Sequence, residues 1–529
     1  MAFLERMKKE LPSRKEVKRR TWVFVPYDRL NDRTGPLAKL AADDAGIILL
    51  ESERKGRNRP YHKKKVLVVL ANLRHFALEQ LERGVAVIYR HGPESYGEQL
   101  LLLQREYDLP AIQLATPAER ELREDLSLAQ KDGLALEYVE DDAWVSTHED
   151  WVRVFGEPRR ETPSAGARDS GRQYLMERFY RYMRKKTGLL MKNGKFAGGK
   201  LSFDEQNRRR YKGEVPVPRR PSFMPDAITR EVIDMLSHNG IETIGTFDGF
   251  DLPVTAKDCA AYWRFALDKL LPSFGPYEDA MSAEEPMLFH SAISALMNIG
   301  RLLPGEVVAD VQAAYEDKRV PLPSAEGFIR QIIGWREFMR HIHDVTDGFR
   351  TLPQNPDPPS NRTANPYSHL LVKERNRAAP DLPAMPSALD AHQPLPPAYW
   401  GVRSGMFCLD TAVGQVLEQG WTHHILRLMV LSNLATLCGF SPRELTDWFW
   451  VAYVDAYDWV VESNVLGMAT FSDGGLTATK PYVSGAAYIH RMSDYCGRCE
   501  LDPKRATGPG SCPFTAFYWR FLEQHEELL

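Results

Sequence analysis

The chain has 529 residues, 43% of them hydrophobic, and its 68 basic and 71 acidic side chains leave a net charge of −3. That length allows two or three domains, and that apolar content supplies a large core, so disorder is not the default. A near-neutral balance means that a nucleic-acid partner has to be met by a local basic face, not by the field of the whole molecule. The first twenty residues, MAFLERMKKELPSRKEVKRR, are charged throughout and lack the apolar core of a signal peptide. No apolar run reaches the length of a membrane span. The expectation is a cytoplasmic protein without a membrane partner, its cysteines reduced or bound to metal.

Residues 1–150 read as a first domain. TWVFVPY (Thr21 to Tyr27), GIILLES (Gly46 to Ser52), VAVIYR (Val85 to Arg90) and AIQLAT (Ala111 to Thr116) are short apolar runs of strand character. Between them, His62 to Arg83 and Ser95 to Tyr107 carry apolar residues at helical spacing. This βαβ succession predicts a parallel doubly wound sheet, with ligands beyond the carboxyl ends of its strands. Neither G-x-G-x-x-G nor a Walker A motif is present, which argues against an ordinary dinucleotide or nucleoside triphosphate site.

Residues 151–225 read as a linker with a basic helix. The stretch 156–172 has a linker's composition, and RFYRYMRKKTGLLM after it interleaves basic and aromatic residues. That mixture suits a groove that tracks phosphates, with Arg184, Lys185 and Lys186 as the candidate contacts; an amphipathic helix with a solvated basic face accounts for it equally simply. FDEQNRRRY (Phe203 to Tyr211) adds further arginine.

Strand signals nearly vanish across residues 226–529, and helical spacing dominates, in EGFIRQIIGWREFMRHIH and HHILRLMVLSNLATLCG among others. The prediction is an all-α domain large enough to enclose a ligand. A proline-rich insertion interrupts it near 347–397 and reads as a long surface loop. Gln331, Trp335 and Phe338 fall at i, i+4 and i+7, on one predicted helix face. Three of the six cysteines, Cys496, Cys499 and Cys512, lie within RMSDYCGRCELDPKRATGPGSCPFTAFYW. A C-x2-C pair places two thiolates on one tight turn, and Cys408, just before a helical stretch, is the candidate fourth ligand. Spacing alone does not separate a structural zinc from an iron–sulfur cluster, and a disulfide is disfavoured because nothing indicates secretion.

These segments, in this order, with GMATFSDGGLTATKPYVSGAAYIHRMSDY, resemble the iron–sulfur branch of the bacterial photolyase and cryptochrome family, the (6-4) photolyase-like proteins. The resemblance covers most of the chain. It implies a photolyase-type α/β antenna domain followed by a large helical FAD-binding domain holding a [4Fe-4S] cluster on Cys408, Cys496, Cys499 and Cys512. It further implies a 6,7-dimethyl-8-ribityllumazine antenna, with Asp28, Leu30 and Glu51 as landmarks, where the family more often reads G-D-Q-L than PYDRL. By resemblance, FAD is bound by Tyr277, Ser291, Ser294, Gln331, Arg336, Arg427 and Asp455. His423, His424, Tyr482 and Tyr488 fall on the lesion pocket, and Trp400 and Trp448 on an electron relay. Leu201, Phe449 and Val461 depart from the family, which usually has tryptophan, tyrosine and an acidic residue there.

The function implied is that of a DNA photolyase, acting as a monomer on UV-damaged DNA: blue light excites reduced FAD, which donates an electron to a flipped-out (6-4) pyrimidine photoproduct. The rival is a cryptochrome-type photoreceptor with the same flavin and cluster and little repair. A third reading, a DNA-binding protein with a purely structural cluster, has no place for a flavin.

Overall fold

The computed structural model describes residues 2–157, 173–354 and 383–527. Nearly all of the stretch expected to be a linker, 156–172, and much of the proline-rich insertion lie outside the described residues. The chain forms two compact units that interleave in sequence. One comprises Met1–Val145, Pro221–Trp263 and Ile293–Glu306, the other Ser146–Arg220, Arg264–Ala292 and Val307–Leu529.

The first unit is built on five parallel strands, β1 (Thr21–Phe24), β2 (Ala45–Ser52), β3 (Ala86–Gly92), β4 (Ile112–Ala115) and β5 (Leu136–Val139), in the order β3-β2-β1-β4-β5. The order reverses between β1 and β4, the switch point of a doubly wound sheet. β2 is buried along nearly its whole length, as expected where both faces of a parallel sheet are covered. β1 stops at Phe24 because Pro26 has no N–H to donate, although Val25 N still donates to Ile48 O at 3.1 Å. The helices Lys63–Glu82 and Tyr96–Tyr107 stand where the apolar periodicity places them. The second starts on a capping box between Ser95 and Glu98. β5 escapes the sequence reading because LEYV is a half-exposed edge strand with no continuous apolar run.

The second unit is helical. Its helices are repeatedly widened by i→i+5 turns: Arg330–Arg336 between Leu322–Ile329 and Glu337–Val345, Arg427–Ser432 between His424–Leu426 and Asn433–Leu437, and Glu462–Ala469 after Asp458–Val461. Such turns cost hydrogen-bond geometry and recur at functional sites. They also break the 3.6-residue phase. Phe338 is fully buried against Trp151 and Phe179, whereas Gln331 and Trp335 remain partly exposed, so the expected common face does not form. Either side of 355–382 the chain is tied to itself: Met385 N donates to Gln354 Oε1 at 2.5 Å, and Gln354 Nε2 donates to Phe349 O at 2.8 Å. No helix among the described residues is long and apolar enough to cross a membrane.

Candidate functional site

Cys408 is the second residue of the helix Phe407–Gln419, Cys496 sits in the 3-10 turn Tyr495–Gly497, and Cys512 caps the helix Pro513–Gln524. Two sulfurs thus stand at helix N-termini, where orphan N–H groups favour a thiolate. The loop before Cys512 folds back on itself: Asp502 N donates to Gly510 O at 2.8 Å and Cys512 N to Asp502 O at 3.0 Å. Gly510 turns it at φ 76, where a side chain would be strained. All four cysteines are free thiols and line one recess with Met406, Ile489, Leu501 and Phe514. Burial pushes the Cys496 thiol up to about 11 and raises those of Cys408 and Cys512, and the neighbouring thiols add to it. Such a group is held as thiolates only around a cation.

A second cluster gathers around His423 and His424. His423 is extended and buried, and neither of its ring nitrogens has a hydrogen-bond partner among the described residues. His424 opens the next helix with its side chain 42% exposed, Nε2 standing 3.7 Å from Asp279 Oδ1. His290, which the sequence reading passed over, stacks flat on His423 with ring centroids 4.4 Å apart and planes 5° from parallel. These three histidines bring their ring nitrogens within 4.8 Å of one another. Burial, then the crowding of the other imidazoles and Arg427, holds His423 and His290 well below the ordinary imidazole range. Asp279 also accepts from Tyr488 Oη at 3.4 Å, while Tyr482 is 39% exposed.

Arg427 bridges this cluster to Asp455. Its Nη1 and Nη2 donate to Oδ1 and Oδ2 at 3.1 and 2.9 Å, and its Nε donates to Thr422 O at 2.8 Å. Gln331 Nε2 donates to Glu278 Oε1 at 2.6 Å, and Asn207 Nδ2 to Glu278 Oε2 at 2.6 Å. A Cβ at Gly327 would come within 2.8 Å of both Asn207 Nδ2 and Glu278 Oε2, so glycine makes room for this network. Burial raises the Glu278 carboxyl against the pull of Arg330. Arg336 lies 5.2 Å from the Trp459 ring centroid, and Tyr277 is packed between Tyr211 and Phe289. Ser291 falls in the helical unit and Ser294 in the α/β unit.

Trp448 is fully buried, its Nε1 donating to Tyr399 O at 2.8 Å, and the neighbouring Trp400 is partly exposed. Phe449 lies between Trp448 and Tyr453, with centroids 5.1 Å from each. Val461 is 5% exposed. Glu462, one residue on, faces elsewhere: His343 Nε2 lies 2.9 Å from its Oε2, and Arg443 Nη1 donates to its Oε1 at 2.8 Å.

Two expectations change. Arg184 is fully buried and donates to the carbonyls of Leu189, Leu190 and Leu201, so it is not on an exposed basic face. Lys185 is exposed, and Lys186 bonds to Asp150. In the α/β unit, Leu30 and Asp28 are buried, and Arg29 joins Asp28 to Asp141. Glu51 has both oxygens engaged, by Arg74 at 2.7 and 3.1 Å and by Tyr89.

Comparison with known proteins places this geometry. A family model for deoxyribodipyrimidine photo-lyase-related proteins matches residues 23–252. A (6-4) photolyase of Agrobacterium fabrum is 34% identical over 514 residues, 96% of this chain and 92% of that protein. The fold is shared with a bacterial class III photolyase from Agrobacterium tumefaciens, at TM-score 0.56 and 14% identity over 96% of this chain and 97% of that one. It is also shared with a Synechocystis cryptochrome, at TM-score 0.54 and 14% identity over 89% and 86% of the two chains. The 34% identity to the Agrobacterium fabrum (6-4) photolyase, over almost the whole of both chains, settles the kinship: the chain belongs to the (6-4) photolyase family.

Proposed function

We propose that this protein repairs (6-4) pyrimidine photoproducts in DNA under blue light, with FAD as its catalytic cofactor. The observation that carries the reading is the placement of His423 and His424 beside the Arg427–Asp455 pair, in a chain related along its length to a (6-4) photolyase. Bound FAD would supply the electron. The rest is done by the chain. His424, half in solvent and next to Asp279, holds a proton where a flipped-out base would enter. His423 walls the pocket as a neutral ring. Tyr482 and Tyr488 line its open side, and Gln331, Arg336 and Arg427 with Asp455 fix the polar scaffold of the flavin site.

The donor set at the cysteine recess fits a [4Fe-4S] cluster, because four thiols share one apolar pocket in a chain related to a (6-4) photolyase. Glu51 takes two donors on Oε1 and one on Oε2, and we assign no step to a lumazine antenna. Trp448 and Trp400 supply the oxidisable side chains for refilling the flavin with electrons.

The photoreceptor alternative draws on two residues. Phe449 offers no phenol beside Trp448, and buried Val461 can neither give nor take a proton. A duplex carrying one (6-4) lesion, incubated with reduced protein in blue light and in the dark, decides between them. Light-dependent restoration of the bases is expected; an intact lesion after illumination with reductant supplied assigns the protein to signalling.

A further inference from the structure

Three imidazoles occupy one pocket, and the proposed chemistry uses only the adjacent pair. His290 comes from a different part of the chain, and the backbone is bent to deliver it. Leu288 and Ala292 bracket it in the left-handed region, at φ 40 and φ 54, where non-glycine residues are strained. Its carbonyl accepts from the Arg220 guanidinium, and its ring is held edge-on by Phe274 at 5.5 Å. The result is one ring laid flat on His423 and edge-on to His424 at 5.4 Å.

Stacking and hydrogen bonding have different consequences for a proton. A buried imidazolium needs an acceptor for each N–H. Among the described residues, neither nitrogen of His423 has one, and neither does Nε2 of His290. A charge on either would also face its neighbours, His424, Arg427 and, for His290, Arg220. The anions of the pocket lie on the other side. Asp279 stands 3.7 Å from His424 Nε2, with Tyr488 and Arg208 also on that carboxylate, and Glu278 adds its charge to the same side. We propose that His290 is a positioning residue: stacked flat on His423, it holds that ring in its present plane and confines the proton of the three-histidine cluster to His424. Without the stack, the His423 ring can turn its nitrogens toward water or a carboxylate and compete for the proton. This inference rests on the repair reading only for its catalytic consequence.

The test uses full-length flavin-loaded protein with 13C-labelled histidine, titrated across neutral pH, with His424→Asn to assign the signals. In the unmodified protein the signals of His423 and His290 stay unchanged across this range. Titration of His423 or His290 instead overturns the proposal, whether or not the protein repairs DNA. In His290→Ala, His423 begins to titrate, and the acid limb of the pH–repair profile moves by about one pH unit. His290→Phe keeps the stack and leaves both readouts as in the parent, with flavin content and melting temperature confirming the fold. If Ala changes neither readout, or Phe shifts them as far as Ala does, the stack is not what places the proton. If the parent fails to repair while His423 and His290 stay unchanged, the repair reading falls and the placement of the proton stands.

Discussion

Arg427 and Asp455 form a two-pronged ion pair, at 3.1 and 2.9 Å, whose guanidinium also lies 4.2 Å from the Tyr453 ring centroid. Three demands are met at once: a carboxylate, an aromatic face and the Thr422 carbonyl. Lysine, a point charge on a flexible stem, meets only the first.

Asp455→Asn should therefore leave a mostly buried cation uncompensated and destabilise the protein by about 2–3 kcal/mol. Flavin retained after gel filtration should fall with it. Arg427→Lys should lose flavin nearly as badly. Full flavin content in either variant would remove the pair from the binding site.

Iron analysis tests the cysteine recess. Cys408→Ala and Cys499→Ala should each lose the metal and its broad visible absorption, while Cys259→Ala and Cys438→Ala keep them. Zinc in place of iron, in protein prepared without air, overturns the cluster. Cys259 lies in the α/β unit, and neither it nor Cys438 lines the recess.

Acid stability should depend on Glu462. Burial alone would raise this carboxyl, but the His343 hydrogen bond and the charges of Arg443 and Arg350 outweigh it and hold it at about 2, against an ordinary 4.5. A depressed carboxyl stabilises the fold above its unfolded value, and the contribution, about 3 kcal/mol, is lost as pH falls from 4.5 through about 2. Glu462→Gln should be weaker in urea at neutral pH and lose less on acidification than the parent. Equal losses would show that the acid sensitivity lies elsewhere.

Lys185→Ala with Lys186→Ala should weaken binding to damaged and undamaged duplex alike and flatten the salt slope by about one to two. Arg184→Ala should instead lower the melting temperature, since three carbonyls lose their donor. A changed salt slope with unchanged melting in Arg184→Ala would restore it to the DNA face.

Val461→Glu places a carboxylate on a wall that is now apolar. Absorbance of the flavin under blue light should show faster full reduction than in the parent. If the parent already reduces fully and repairs well, Val461 has no bearing on the choice between repair and signalling.

The sequence made some of this plain and hid the rest for physical reasons. β2 and the helix Lys63–Glu82 were legible because burial writes itself as apolar periodicity. The cysteine set was readable from the C-x2-C spacing and the helix start at Cys408, whereas the Arg427–Asp455 pair was reachable only through family resemblance, because its partners stand on separate segments. His290 sat within FHSAISALMNIG, where the serines drew notice, and nothing local marks a ring that stacks on a residue more than a hundred positions later. Arg184 misled because basic residues in a row imply a solvated face, whereas this one turns inward to satisfy carbonyls. The i→i+5 turns mislead in the same way, since periodicity assumes a constant pitch.

The tie between Gln354 and Met385 also bears on how this protein can change. Gln354 and Met385 are fastened to each other directly, although thirty residues of chain separate them. Met385→Pro, which has no N–H to donate, should therefore undo the fastening and leave the Gln354 side chain held only from the Phe349 and Leu352 carbonyls.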